Sequence, residues 1–172
     1  MVVIRPLQRS DNWAIKNFEC ASREDPTYQR QVQKMVRKQL LEVCGDRSRN
    51  LVVQVAVEAG KLCGVVVTER ADDVDLVLVA VNRDSRRKGI ATSLMTHALS
   101  NYATEGASYV SLEVHKQNDG MRRLLGECGD YFPNDLDDEY EVFVTEVGTL
   151  LQELSGIALP SEALPEPSLI LG

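Results

Sequence analysis

The chain has 172 residues, 44% of them hydrophobic and 26% charged, a composition ordinary for one globular domain with a sizeable core. Its formal net charge of −7 disfavours nucleic acid as a partner, because contacts to phosphate supply most non-specific affinity for nucleic acid. The N-terminus lacks the apolar core of a signal peptide, and no apolar run is long enough to span a membrane. We therefore expect a cytoplasmic protein without membrane contact.

The cysteines and histidines are scattered along the chain. No two cysteines form a CxxC pair and few histidines are present, so we expect buried, reduced thiols and no metal site. The residues concerned are Cys20, Cys44, Cys63, Cys128, His97 and His115.

The first fifty residues predict one strand and two helices. Val2–Ile4 is a short β-branched run that ends before a proline. Ser10 is placed to cap a helix whose apolar face carries Trp13 and Phe18. Apolar residues from Tyr28 to Cys44 then recur at helical spacing, which predicts a second and longer helix.

Valine-rich runs follow and predict antiparallel strands. Leu51–Glu58 and Lys61–Glu69 are joined at Ala59-Gly60, which is a hairpin signal. Val74–Val81 is of strand length and continues the same meander.

A basic loop and an amphipathic helix come directly after Val74–Val81. The loop is Asn82–Lys88, and the helix begins at Gly89 and runs to about Thr104. A strand, a loop rich in backbone donors and cations, and a helix are the arrangement that binds phosphate at a helix N-terminus. The residues that share the apolar face of this helix are Ile90, Leu94, Ala98 and Tyr102.

The second half of the chain completes an α+β fold. Tyr109–His115 predicts a strand parallel to Val74–Val81, joined to it by a right-handed crossover. A short helix, Asp119–Cys128, and a last strand, Glu139–Val147, follow. We predict a mixed sheet of about six strands, antiparallel in its first half, with helices on both faces.

The domain is predicted to span residues 1–148, and residues 149–172 to form a tail that is extended or disordered. Thr149–Leu154 has room for one or two helical turns, and the chain is rich in Pro and Ser from Gly156.

The segment RRKGIA, at the junction of strand and helix, carries the functional signal. A pyrophosphate needs several converging N–H donors, and Gly89 lets the backbone approach a ligand without a Cβ in the way. Ala91 keeps the first helical turn close to that ligand, and the cations add positive charge beside the helix N-terminus. The competing interpretation is a solvated basic turn.

RRKGIA resembles the pyrophosphate loop of the GNAT superfamily of acyl-CoA N-acyltransferases, and VLVAVNRDSRRKGIATSLM resembles that family's central segment. The resemblance implies that acetyl-CoA lies where the two parallel strands splay apart. It also implies that Asn118 contacts the cofactor, although Asn118 is equally placed to cap the helix at Asp119. The other cofactor residues that the resemblance implies are Val79, Ala80 and Val81 for pantetheine and Arg86, Arg87, Lys88, Gly89, Ile90, Ala91 and Thr92 around the pyrophosphate.

The sequence departs from the family pattern where a catalytic tyrosine is expected. Leu125 occupies the position in which family members carry a Tyr that protonates the leaving thiolate. Tyr131 is the nearest substitute as proton donor, with packing as its alternative role, and Cys128 is a weaker candidate.

A carboxylate is needed to accept the proton of the attacking amine. Asp75 falls where some family members place a catalytic Glu, although a solvent-facing role suits it as well. Glu113 lies in the other parallel strand and is the second candidate, and Glu69 is the third.

These features predict an N-acetyltransferase that moves an acetyl group from acetyl-CoA to a primary amine by direct transfer. The acceptor is an amine-bearing small molecule or a protein amino group. The alternative is a catalytically silent GNAT-like module that binds acetyl-CoA or a protein, which Leu125 and the apolar tail favour. The tail also suits docking on a partner or on a second subunit in a homodimer.

Overall fold

The computed structural model describes residues 1–20, 33–34, 36–38, 40–41, 51–70 and 72–156, and for Leu76 and Val77 it describes the main chain only. The described strands form one sheet of seven in the order β1-β2-β3-β4-β5-β7-β6. They are β1 (Val2–Pro6), β2 (Leu51–Glu58), β3 (Lys61–Arg70), β4 (Val74–Val81), β5 (Tyr109–His115), β6 (Asp130–Pro133) and β7 (Tyr140–Glu146).

Helices flank this sheet. Residues 33–34, 36–38 and 40–41 are helical and belong to the predicted Tyr28–Cys44 helix, the rest of which lies outside the described residues. No helix of the described part of the chain is long and apolar enough to cross a membrane. The other helices are α1 (Asn12–Lys16), α2 (Ile90–Thr104), α3 (Asp119–Leu125) and α4 (Val147–Ser155), with 3-10 turns at Arg9–Asp11 and Arg83–Ser85.

The predicted mixed α+β sheet is confirmed. β4 and β5 pair in parallel, and every other described neighbouring pair of strands is antiparallel. The sheet has one strand more than predicted, because β6 is only four residues long and ends in Pro133, which weakens any strand signal. Gly129 lets β6 start close to β7, since a Cβ on it would meet the carbonyl oxygen of Val144 at 2.5 Å.

Two hydrophobic clusters cover the two faces of the sheet. On one, which we call the α2 face, α2 and α4 pack on residues such as Val110 and Phe143. On the other, the α1 face, α1 and the helical residues Val36 and Leu40 pack on β2, β3 and the end of β4. The predicted apolar stripe of α2 is confirmed, with Ile90, Leu94, Ala98 and Tyr102 at most 6% exposed.

The first helix differs from its prediction. A 3-10 turn at Arg9–Asp11 includes Ser10, and the α-helix begins only at Asn12. Because a 3-10 turn has a different period from an α-helix, the buried face shifts: Phe18 is buried as predicted, whereas Trp13 is 76% exposed.

The folded unit extends beyond the predicted boundary at residue 148. α4 contains the turns that the sequence allowed at Thr149–Leu154, and its residues Val147, Leu150 and Leu154 are buried in the core. Their spacing of three and four residues places them on one helical face. Residues 149–155 are therefore helical rather than extended, and residues 157–172 of the predicted tail lie outside the described residues.

Candidate active site

The two parallel strands part soon after they pair. Val74–Leu76 of β4 is in register with Val110–Leu112 of β5, and no further pair between these strands follows. β4 nevertheless continues to Val81, paired on its other edge with β3. A bulge opposite Val67 and Thr68 inserts Val77 as the extra residue, and the strands separate just beyond it. The last residues of β4 thus present one unpaired main-chain edge toward β5.

Main-chain direction identifies the groups on that edge. The N–H of Asn82 donates a 2.7 Å hydrogen bond to the carbonyl oxygen of Cys63 in β3. Main-chain groups of successive strand residues point to alternate sides, so Ala80 also faces β3. Val79 and Val81 therefore turn their N–H and C=O groups toward the gap, whereas Ala80, predicted with them, does not.

The loop after β4 presents an array of N–H donors. Arg87 and Gly89 both have positive φ, 60° and 72°, and α2 begins directly after them. The first helical hydrogen bond runs from the N–H of Ser93 to the carbonyl of Gly89, at 2.9 Å. No N–H group from Arg87 to Thr92 has an acceptor among the described residues. These donors lie at the positive end of the α2 dipole, which suits an anion.

The space in front of these donors is open. A Cβ built on Gly89 would meet no atom within 4 Å, and Arg87 and Lys88 are exposed cations on the same loop. The residues predicted to hold a pyrophosphate are thus brought together around a free main-chain surface, with Thr92 in the first turn of α2.

Arg86 has a contact that the sequence did not predict. Its guanidinium donates to the carbonyl oxygen of Cys20, in the segment that follows α1. Asn82 accepts a 3.3 Å hydrogen bond from the N–H of Asp84 and shapes the turn before Arg86. Arg86 therefore fastens the loop to the rest of the fold, and its role toward a cofactor stays a prediction.

The segment Phe18–Cys20 is held from its other side as well. The Nε of Arg37 donates to the carbonyl of Phe18 at 2.9 Å, and the N–H of Cys20 donates to the side-chain oxygen of Gln33 at 2.7 Å. The signal for this connection is absent from local sequence patterns, because its partners lie far apart along the chain.

The candidate bases lie together on the α1 face. Glu69 is paired with Asp75, and Asp75 with Ser111, so the three side chains form one row across β3, β4 and β5. Ser111 donates its hydroxyl to Asp75. Glu113 is two residues further along β5, on the same face, and accepts a 3.2 Å hydrogen bond from the amide of Asn134. Asp75 and Glu113 are exposed, which is compatible with contact to a substrate.

Tyr131 lies on the opposite face. It is paired with Phe143, which is packed in the core of the α2 face. Its hydroxyl is buried without a hydrogen-bond partner, and the guanidinium carbon of Arg122 lies 4.4 Å from its ring centroid. Burial raises the pKa of Tyr131 above its ordinary value, and the nearby Arg122 partly opposes that shift. The structure brings Asp75 and Glu113 together but not Tyr131, whose catalytic role stays a prediction.

The remaining predicted residues lie around α3. Leu125 is fully buried in the core, as its apolar side chain requires. Burial raises the pKa of the Cys128 thiol, which weakens it as a proton donor. Asn118 caps α3, since its side chain accepts a 3.1 Å hydrogen bond from the N–H of Met121, and its contact to a cofactor stays a prediction. The described residues contain no cluster of three or more His, Cys, Asp or Glu side chains that would hold a metal.

Comparison with known proteins gives a family and a fold. The sequence model of the acetyltransferase (GNAT) family matches residues 11–130. No curated protein sequence matches the chain.

Solved structures with similar folds include N-acetyltransferases. PaiA N-acetyltransferase from Thermoplasma acidophilum, in complex with coenzyme A, is 17% identical with a TM-score of 0.68, covering 85% of this chain and 99% of that one. The ribosomal-protein-S18-alanine N-acetyltransferase from Escherichia coli is 18% identical with a TM-score of 0.62, covering 95% and 99%. A chimera of the spermidine N-acetyltransferase SpeG from Vibrio cholerae and hSSAT is 17% identical with a TM-score of 0.60, covering 87% and 98%. At these identities the likeness establishes the fold.

Proposed function

Because the chain belongs to the acetyltransferase (GNAT) family, we propose that it moves an acetyl group from acetyl-CoA to a primary amine by direct transfer. Family membership supports an acyltransferase with a CoA-based donor. The acetyl group, the amine and the mechanism are the finer parts of the proposal, and each is argued from the residues of the site.

The gap between β4 and β5, next to the loop donors, is the observation that carries the proposal. The loop N–H groups from Arg87 to Ala91 have no acceptor in the described part of the chain, and the space before Gly89 is open. A pyrophosphate fits such a set of donors. The unpaired main chain of Val79 and Val81 begins one short turn away and suits the amide groups of pantetheine.

Thr92 and the side chains of Lys88 and Arg87 would add a hydroxyl and positive charge to the phosphate end of this site. Acetyl-CoA supplies an activated thioester, whose carbonyl carbon forms the new bond to nitrogen as its bond to sulfur breaks. The N–H of Val79 or Val81 would stabilise negative charge on the carbonyl oxygen. Holding both reactants in one geometry supplies much of the rate, so no side-chain nucleophile is required.

The carboxylates of the α1 face suit the acceptor side of the reaction. Asp75 and Glu113 would orient the ammonium group of the acceptor and take its proton, directly or through water, before attack. Ser111 holds Asp75 in place from the neighbouring strand. The leaving thiolate must gain a proton, and Tyr131 or water is the proposed source.

The catalytically silent module is the second candidate, and buried Leu125 in place of the family tyrosine favours it. Turnover decides between the two. The full chain is incubated with acetyl-CoA and a panel containing a polyamine, a lysine peptide and a peptide with a free α-amine. Release of free thiol, with an acetylated product in the mass spectrum, is the expected result. Saturable binding of acetyl-CoA without turnover of any amine would support the silent module. No binding of acetyl-CoA would contradict the transferase and leave only the protein-binding form of the silent module.

A further inference from the structure

A cavity lies between β2, β3 and the C-terminal half of α2. Its volume is about 230 Å³, enough for roughly seven water-sized groups. α2 has 15 residues, so this cavity lies about 20 Å from the loop at the helix N-terminus. Its lining residues are Val52, Gln54, Thr68, Ala98, Asn101, Tyr102, Thr104 and Glu105.

Gln54 is the unusual residue of this lining. It is only 7% exposed, and its side-chain oxygen is buried without any hydrogen-bond partner. Its amide nitrogen has no partner among the described residues either. A buried acceptor left unpaired costs on the order of 1–3 kcal/mol, so a molecule that donates a hydrogen bond to the Gln54 oxygen recovers that free energy.

Apart from the exposed side chain of Asn101, the other polar side chains of the cavity are already partnered. The hydroxyls of Thr68 and Tyr102 are 2.7 Å apart and hydrogen-bonded. Glu105 forms a 3.1 Å ion pair with Arg70, whose guanidinium also lies over the ring of Tyr102 at 5.6 Å. An incoming ammonium group would therefore compete with Arg70 for Glu105, and the cavity lining offers no Lys or Arg to an incoming anion.

The unpaired amide and the lack of an available charge in the lining indicate the chemical class of the ligand. The amide of Gln54 offers one acceptor and one donor side by side, and a second amide presents the complementary pair. Val52, Ala98 and the Tyr102 ring provide apolar contacts for the rest of such a molecule. We propose that this cavity is a binding site for a small neutral carboxamide, which pairs its N–H and C=O with Gln54. The site is separate from the proposed acetyl-CoA site and does not depend on the proposed function.

The test is an NMR titration of the ¹⁵N-labelled full chain with isobutyramide, isobutyrate and isobutylamine. The three probes have similar shape and differ in charge and hydrogen bonding. We expect isobutyramide to shift the Gln54 side-chain amide and the backbone resonances of Thr68 and Ala98, saturably and with a millimolar Kd. The other two probes should bind at least about tenfold more weakly.

Two variants make the test specific. Gln54→Leu removes the amide at similar volume, and loss of an unpaired buried group leaves folding nearly unaffected or improves it. It should weaken isobutyramide binding about tenfold or more. Gln152→Leu is the matched control, since Gln152 in α4 also has a buried, unpartnered oxygen but does not line the cavity.

Three results would overturn the proposal, and the first two need no variant. The first is an absence of saturable chemical-shift changes with isobutyramide, which leaves water as the occupant. The second is binding of isobutyrate or isobutylamine with the same affinity as isobutyramide. The third is an equal loss of affinity in Gln54→Leu and Gln152→Leu.

Discussion

The main-chain N–H of Arg83 donates a 2.6 Å hydrogen bond to the carbonyl oxygen of Glu19, and the two side chains form an ion pair at 3.1 Å. The loop after β4 is thereby fastened to the segment that follows α1. A site made of main-chain N–H groups needs such support, because its donors have affinity for an anion only while they converge.

Substitution of Arg86 tests how much its contact with Cys20 supports the loop. In Arg86→Gln the carbonyl of Cys20 loses a charged donor, so we expect the free energy of unfolding to fall by about 1–2 kcal/mol in urea denaturation. The Kd for acetyl-CoA should change less than about threefold, because the Arg83–Glu19 hydrogen bond and ion pair still hold the loop and the Arg86 guanidinium is already engaged with Cys20. Arg87 is an exposed cation of the same loop, and Arg87→Gln is the control. This variant should weaken the binding of acetyl-CoA without changing the free energy of unfolding. A large loss of acetyl-CoA affinity in Arg86→Gln, with stability unchanged, would instead make Arg86 a cofactor ligand.

Asp75→Asn should lower kcat by about 10²–10⁴-fold if its carboxylate takes the amine proton, because the amide cannot act as a base. Initial rates of thiol release, with the amine that gives turnover, measure this. The Kd for acetyl-CoA should be unchanged. Glu113→Gln is the parallel variant, and the larger loss of kcat identifies the base. Wild-type kcat in both variants would exclude the two carboxylates from proton transfer.

Tyr131→Phe should leave the free energy of unfolding unchanged or raise it by up to about 1 kcal/mol, because the lost hydroxyl is buried without a partner. Burial raises the pKa of Tyr131, so its neutral form is favoured in the folded state. Ionisation is therefore easier in the unfolded chain: stability is unaffected below the unfolded pKa of about 10 and falls as pH rises from there through the folded pKa. The variant should therefore lose less stability than the wild type in alkaline denaturation. A fall in kcat of tenfold or more at neutral pH, with stability unchanged, would assign Tyr131 the role of the acid.

Asp11 should stabilise the N-terminal segment through its charge. Its carboxylate accepts two 2.8 Å hydrogen bonds from the Arg5 guanidinium and one from the N–H of Gln8. The hydrogen bond to Arg5 is the main cause that lowers the pKa of Asp11.

Because that pKa is lowered, the contribution of Asp11 to the free energy of unfolding is complete above the unfolded pKa of about 3.9. It is lost as pH falls through the folded pKa. Asp11→Asn should cost about 2 kcal/mol at pH 7, and this difference should shrink on acidification below ~4, measured by denaturation at each pH. A difference that is constant with pH would mean that the charge of Asp11 is not involved.

The elements that carry the proposed cofactor half of the site could be predicted from local sequence. A strand, a basic loop with Gly89, and an amphipathic helix are contiguous, and each element leaves a pattern in its own residues. The bulge at Val77 and the early end of the β4–β5 pairing leave no such pattern, because they depend on the register between distant strands.

The proposed catalytic half was harder to predict for the same reason. A side chain's face in a strand is fixed by its pairing, so the common face of Asp75 and Glu113 became visible only with the register. The same register places Tyr131 on the opposite face. The contacts of Arg83 and Arg86 with Glu19 and Cys20 likewise join parts of the chain that no local window contains.

A pyrophosphate bound as proposed at the loop N–H groups would lie against Gly89. Gly89→Ala tests this directly, with Gly60→Ala as its control. Both glycines have positive φ, 72° and 75°, and a Cβ on either meets no atom within 4 Å. The two substitutions therefore carry similar backbone strain, about 1–2 kcal/mol each. They differ in place, since Gly89 lies directly before α2 and Gly60 lies in the β2–β3 turn.

Calorimetric titration of acetyl-CoA into the wild type and the two variants is the decisive measurement. We predict saturable binding to the wild type, unchanged Kd in Gly60→Ala, and a Kd at least about tenfold weaker in Gly89→Ala, because the new methyl group occupies the phosphate position. No binding to the wild type, or equal Kd in the two variants, would contradict the account.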